Sequence, residues 1–230
     1  MTETRIGLKN EYVRINCGNE WWSNTMHSNC SYGGNQGWFG DEDKHLRPMG
    51  CGLISCADIL LYKSGRRELG KQEYMDYVRS LNKGPLTVRK HLGVNGLSLA
   101  KGIRRKFREM GVAAKVSWCF SKSKILPRIT SMLEADTPVT ISVGPHLGKT
   151  RLGVNFYVRD SKGSFVLPDW RSGLVRDHYV TVTGMVRQDE DLWLEISSWG
   201  EKYYISWQEY MNYLSLWKTF FSNIMLIIPK

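Results

Sequence analysis

Residues 50–62 read Gly50-Cys51-Gly52-Leu53-Ile54-Ser55-Cys56-Ala57-Asp58-Ile59-Leu60-Leu61-Tyr62, and their pattern sets the fold. Leu53, Ile54, Ala57, Leu60 and Leu61 recur at helical spacing, which predicts a helix that buries one face. Cys51 then stands in the first turn. Unpaired backbone N–H groups and the positive end of the macrodipole favour a thiolate there, so the position predicts a nucleophilic cysteine. Gly50 and Gly52 carry no Cβ, which leaves room for a sharp turn and for a substrate carbonyl beside the sulfur. An isolated cysteine in an apolar helix is more often plain core packing, so further evidence for chemistry has to come from elsewhere in the chain.

Upstream, residues 1–49 are rich in Asn, Gly and Trp and read as mostly irregular, with Trp21, Trp22, Trp38 and Phe39 available for packing. Within them YGGNQGWFG (residues 32–40) has the glycine content of a loop. Downstream, a polar helix is predicted over 71–81, ended by Gly84-Pro85, then an amphipathic basic helix over 97–110, and another helix over 123–135. After Thr137-Pro138 the pattern changes. Residues 139–143, 179–183, 192–196 and 223–228 read as strands, with a short helix over 207–216 between them. The fold class expected is α+β. A mainly helical lobe over 1–136 packs against a mainly β lobe over 137–230, within one domain spanning 1–230, since no linker, repeat or low-complexity tract separates them.

A chain of 230 residues with 42% hydrophobic content can bury a proper core. No apolar run approaches the ~20 residues of a transmembrane helix, and the N-terminus has no apolar stretch of signal-peptide type. The expectation is a soluble, cytoplasmic protein. Cys17, Cys30, Cys51, Cys56 and Cys119 are odd in number and sparsely spread, which fits a reduced compartment. Cys17, His27 and Cys30 lack the paired spacing of a zinc site, and no metal or other cofactor is expected. The net charge of +10 favours polyanionic partners. It is most concentrated at Lys101, Arg104, Arg105, Lys106 and Arg108, opposite an apolar stripe of Leu99, Ile103, Phe107 and Met110. A solvated outer face is the simpler account of that run; nucleic acid, anionic lipid or an acidic substrate are the alternatives.

His178 opens the strand predicted over 179–183, after a polar turn region at 169–177. An imidazole at such a sheet edge can face a cleft and exchange a proton with a thiol, although a histidine at a strand entry is commonly a turn residue. The third piece is residues 192–200, LWLEISSWG, a strand running into a polar turn.

The order of Cys51-Gly52 at a helix start, His178 at a strand start and Ser197-Ser198-Trp199-Gly200 at the end of the next strand resembles the papain-like cysteine peptidases. The apolar helix after Cys51 is closer to their bacterial relatives, the leader-cleaving, bacteriocin-processing type. The resemblance spans roughly residues 36–210 through short motifs. It implies a papain-like fold and a thiol hydrolase acting on a peptide or protein. Cys51 would be the nucleophile and His178 the general base. Gly50, Gly52 and Trp199 would lie beside the substrate, with Trp199 also shielding the histidine's partner from water. The family's imidazole-orienting Asn or Asp is replaced by Ser197, which is shorter and uncharged. Asp177, adjacent to His178 in a strand, points to the opposite face, and Asp169 could reach in from the loop. The family's oxyanion donor, a Gln about six residues before the nucleophile, falls at His45 here. Asn35-Gln36-Gly37 repeats the family's Asn-Gln-Gly with about nine extra residues, and Gln36 is favoured; with the Cys51 N–H it would stabilise the oxyanion by ~3 kcal/mol. The expected activity is that of a cysteine peptidase. Amidase or acyl-transferase chemistry on the same Cys–His pair, a degenerate papain-like binding module, and a nucleic-acid binder are the alternatives.

Overall fold

A computed structural model describes residues 2–18, 29–43, 45–144, 153–168, 174–215 and 223–229. Trp21, Trp22, His27 and Asp169 lie outside them. The helices are α1 (Leu46–Met49), α2 (Cys51–Lys63), α3 (Lys71–Leu81), α4 (Gly96–Glu109), α5 (Ile125–Glu134) and α6 (Trp207–Ser215). The strands are β1 (Glu3–Gly7), β2 (Arg14–Asn16), β3 (Cys30–Tyr32), β4 (Glu68–Gly70), β5 (Ala114–Trp118), β6 (Val139–Val143), β7 (Val158–Arg159), β8 (Phe165–Val166), β9 (His178–Gln188), β10 (Asp191–Ser198), β11 (Glu201–Ser206) and β12 (Met225–Pro229). The architecture is mixed α+β, with mainly antiparallel sheets.

The Gly50–Tyr62 stretch forms α2, and every residue from Gly52 to Tyr62 is buried. A helix buried all round is a core element, so the one-faced burial predicted from spacing understates its role. Leu53, Ile59, Leu60 and Leu61 are fully buried, each contributing about 2 kcal/mol by removal from water. A polar contact fixes how α2 sits on the sheet: Ser55 Oγ lies 2.7 Å from the hydroxyls of both Thr140 on β6 and Thr181 on β9.

In the main sheet β9 is central. β10 runs along one side of it; along the other lie β6, opposite the start of β9, and β1, opposite its end. β11 follows β10 as a hairpin. The segment read as irregular therefore contributes a strand to the sheet of the second half, and it also supplies β2 and β3, which pair with each other, β2 pairing on its other side with β4. β5, likewise missed, pairs with β12. Short strands such as Arg14–Asn16 have too few residues for alternation to register, and pairing partners distant in sequence decide them. One hydrophobic cluster joins Val13 and Ile15, the α2 face, and Val180, Ile196 and Ile227 across the two halves.

The β9–β10 pairing contains a bulge. Glu195 faces Gly184 while Ile196 faces Val182, so Thr183 is the extra residue.

The basic run lies on α4, where Arg104 donates to the Val116 carbonyl and Arg105 and Lys106 pair with Glu109 at 2.9 and 2.7 Å. Lys101 and Arg108 are exposed. Among the described residues no helix is long and apolar enough to cross a membrane.

Candidate active site

The first residue of α2 and the first residue of β9 border the same crevice. Cys51 and His178 line it together with Gln36, Ser197, Ser198 and Trp199, and it encloses about 10 Å³, room for about one water.

Cys51 is partly exposed as a residue, but close packing around its sulfur pushes the thiol up. Backbone hydrogen bonding from Tyr179, Gly52 and Cys51 itself acts in the opposite direction, while the charge of Asp177 adds to the rise. The thiolate favoured by a helix start is thus outweighed by desolvation. The contact with Tyr179 sets the sulfur against the residue that follows His178. Gly50 has right-handed helical angles, with φ −81°; a Cβ there would lie 2.3 Å from the Leu46 carbonyl oxygen, so its bareness serves the α1–α2 junction and not a sharp turn. Gly52 is buried, and a Cβ there would lie 3.1 Å from both Leu99 and Tyr179.

His178 is 8% exposed. Its Nε2 lies 2.8 Å from Ser198 Oγ, and its ring stacks on the indole of Trp199. Ser197 is engaged elsewhere, donating to the Tyr32 carbonyl at 2.8 Å. The hydroxyl beside the imidazole is therefore one residue later than the motif places it. The phase of β10 explains the offset: after the bulge Ile196 pairs with Val182 and Ser197 with Thr181. Ser198 then shares a face with Val180 and His178, whereas Ser197 shares the opposite one with Thr181. Asp177 is exposed and has a positive φ of 51°.

Trp199 and Gly200 form the β10–β11 turn with φ of 50° and 79°, as a two-residue hairpin turn of type I′ requires. A tryptophan in that region stores about 1–3 kcal/mol of strain, and the same turn holds its indole over the imidazole.

Gln36 opens a 3-10 turn over Gln36–Trp38, capped by the Asn35 side chain, which accepts the Gly37 N–H at 2.7 Å. Its Nε2 donates to the Arg47 carbonyl on α1 at 2.9 Å. His45 caps α1 without a side-chain bond and is not among the residues lining the crevice. Of the two candidate donors, Gln36 is the one at the crevice.

Sequence reasoning missed Ser198 and Asp58. Asp58 is 1% exposed and accepts hydrogen bonds from Tyr12 and Tyr74, at 3.0 and 2.6 Å, and from the Gly34 N–H at 3.1 Å. Burial raises its carboxyl to about 6, against the pull of those donors. The available sign was a lone acid inside an otherwise apolar helix.

Among the described residues no group of three or more His, Cys, Asp or Glu is arranged to hold a metal ion. Cys17 is buried and donates to the Ile15 carbonyl at 3.4 Å. No protein-family model matches the chain, and no curated protein matches it by sequence.

Proposed function

We propose that the protein is a cysteine peptidase of papain-like type, with Cys51 as nucleophile and His178 as general base and acid. The observation that carries this reading is the shared crevice: a thiol at a helix start, an imidazole at a strand start and the Gln36 amide border one space although the sequence separates them widely.

A thiol raised by burial favours a neutral resting pair. With its proton on Nε2, donated to Ser198, the ring presents the Nδ1 lone pair as the base. As the sulfur attacks a peptide carbonyl, the thiol proton passes to that nitrogen. The oxyanion is received by the Cys51 backbone N–H and by the second hydrogen of Gln36 Nε2, the first being held by Arg47. The imidazolium then protonates the leaving amine, leaving an acyl-enzyme, and the neutral ring activates the water that hydrolyses it. Trp199 covers one face of the ring and limits water there.

Treatment with a peptidyl vinyl sulfone, which adds to an activated thiol, tests the assignment. Mass spectrometry is expected to find the adduct on Cys51, lost in His178→Ala, with hydrolysis of a peptide library abolished in Cys51→Ala. A wild-type Cys51 labelled no faster than Cys30, or equally in His178→Ala, overturns it. Release of ammonia from side-chain amides without chain cleavage would assign the same pair to an amidase.

A further inference from the structure

The segment leading to Gln36 is gripped from opposite sides by groups that no step above uses. From α2, Asp58 accepts the Gly34 N–H at 3.1 Å, and its carboxylate is held by Tyr12 and Tyr74. From β10, Ser197 donates to the Tyr32 carbonyl at 2.8 Å. The passage between them is closed to any side chain: a Cβ on Gly34 would lie 1.9 Å from Tyr74 Oη, and one on Gly33 2.4 Å from Ser197 Oγ and 2.5 Å from Asp58 Oδ2. Trp38, at the far end of the Gln36 turn, packs edge-on against the same Tyr74 ring, with centroids 5.8 Å apart.

A carboxylate without a countercharge is a costly group to bury, and an apolar residue would fill the same position in a core helix. The placement of Asp58 offers a reason. It follows Cys51 by seven residues, hence about two turns and ~10 Å along nearly the same face of one helix. The nucleophile and the anchor of the Gln36 segment thus ride on a single rigid body.

We infer that Asp58 is a positioning residue for Gln36, with Ser197 as its counter-anchor: together they fix the amide relative to the Cys51 sulfur through α2 and the Gly33-Gly34 link. The inference rests on the reading of Gln36 as oxyanion donor.

The test takes Asp58→Asn in the full chain through three measurements: hydrogen exchange of the Gly34 amide, alkylation of Cys51 by iodoacetamide, and steady-state hydrolysis of a p-nitrophenyl ester. Alkylation reads the thiol without needing an oxyanion donor, whereas ester turnover needs both. The expected result is Gly34 exchange at least ~10-fold faster and kcat lowered by about 10–100-fold, with KM and the alkylation rate each within about twofold. Gln36→Ala should lose a similar factor, and the double variant should lose little more, since both changes remove one function. Ser197→Ala, a gentler change should Asp58→Asn fail to fold, is expected to give the same pattern with a loss of roughly 3–10-fold. Wild-type kcat in a variant whose Gly34 exchange is fast, or losses that add fully to that of Gln36→Ala, overturn the inference. If the wild-type protein hydrolyses no more ester than Cys51→Ala, the peptidase reading fails. The positioning claim is then decided by the Gln36 side-chain NH2 resonances and Gly34 exchange, and both unchanged in Asp58→Asn would overturn it.

Discussion

The indole of Trp199 lies parallel to the imidazole of His178, with ring centroids 4.3 Å apart and 14° between the planes, and it is carried there by a residue whose φ is 50°. A flat apolar ring over the imidazole fixes its orientation while the left-handed turn destabilises the backbone. Trp199→Gly and Trp199→Ala both remove the stack, but only glycine relieves the turn. Denaturant titration should find Trp199→Gly the more stable of the pair by about 1 kcal/mol, while kcat falls roughly 10-fold or more in both. Equal stability would mean that the turn relaxes once the indole is gone.

The serine pair separates by pH profile. Ser198→Ala removes the oxygen beside Nε2, so the imidazolium loses a hydrogen-bond acceptor and the ring's titration moves to lower pH. We expect kcat/KM to fall about 10-fold, ~1.4 kcal/mol, with the acid limb displaced downward. Ser197→Ala should leave that limb where it is, because its hydroxyl faces the Tyr32 carbonyl. An identical displacement in both variants would place both hydroxyls on the ring.

Burial pushes the Cys51 thiol up, and the proposed chemistry needs His178 to offset it. Iodoacetamide alkylation measured from pH 5 to 10 should rise at higher pH in His178→Ala than in the wild type, with the variant's midpoint above the ~8.5 of an ordinary thiol. Superimposable profiles would show that the imidazole does not act on the sulfur.

Asp58 imposes its own pH dependence on stability. Its carboxyl is raised from 3.8 to about 6, so between those values the folded chain keeps a proton that the unfolded chain has released. Its stabilising contribution is full below about pH 4 and is lost as pH rises through about 6, by about 3 kcal/mol at most. The titratable groups around it, Tyr12 and Tyr74 in contact, Tyr32 beyond Tyr12, and Cys56 on the same helix, are all raised and stay neutral over this range. Unfolding free energy of wild type minus that of Asp58→Asn, measured by urea titration, should therefore decline from pH 4 to 7 and then level off. Carboxylates lowered by their partners, such as Glu195 and Asp136, act with the opposite sign and cancel in the difference. A flat difference would mean that Asp58 titrates normally.

Much of the scaffold is legible in the sequence because its elements are locally patterned. α3 coincides with the predicted residues 71–81 and β6 with 139–143, and α4 begins one residue early, where Asn95 caps it by accepting the Ser98 N–H at 2.9 Å. β1 and β5 were missed because long-range partners, β9 and β12, make them strands. Cys51, His178, Gln36 and Trp199 were legible as a motif order, and they line one crevice. The division of labour between Ser197 and Ser198 was not, since it depends on a pairing phase set elsewhere in the hairpin. Asp58 was hidden for the complementary reason: in a linear reading its neighbours are Ala57 and Ile59, whereas its partners come from β2's approach, the Gly33-Gly34 passage and α3.

The extra residue at Thr183 has a consequence for how such a chain tolerates length changes. Excising that residue would restore regular pairing and still leave Ser197 opposite Thr181 and Ser198 on the face of Val180 and His178, because those pairings lie beyond the bulge. The site end of the hairpin is thereby insulated from a length change at the bulge, and a lineage could shed that residue without stripping the imidazole of its companion.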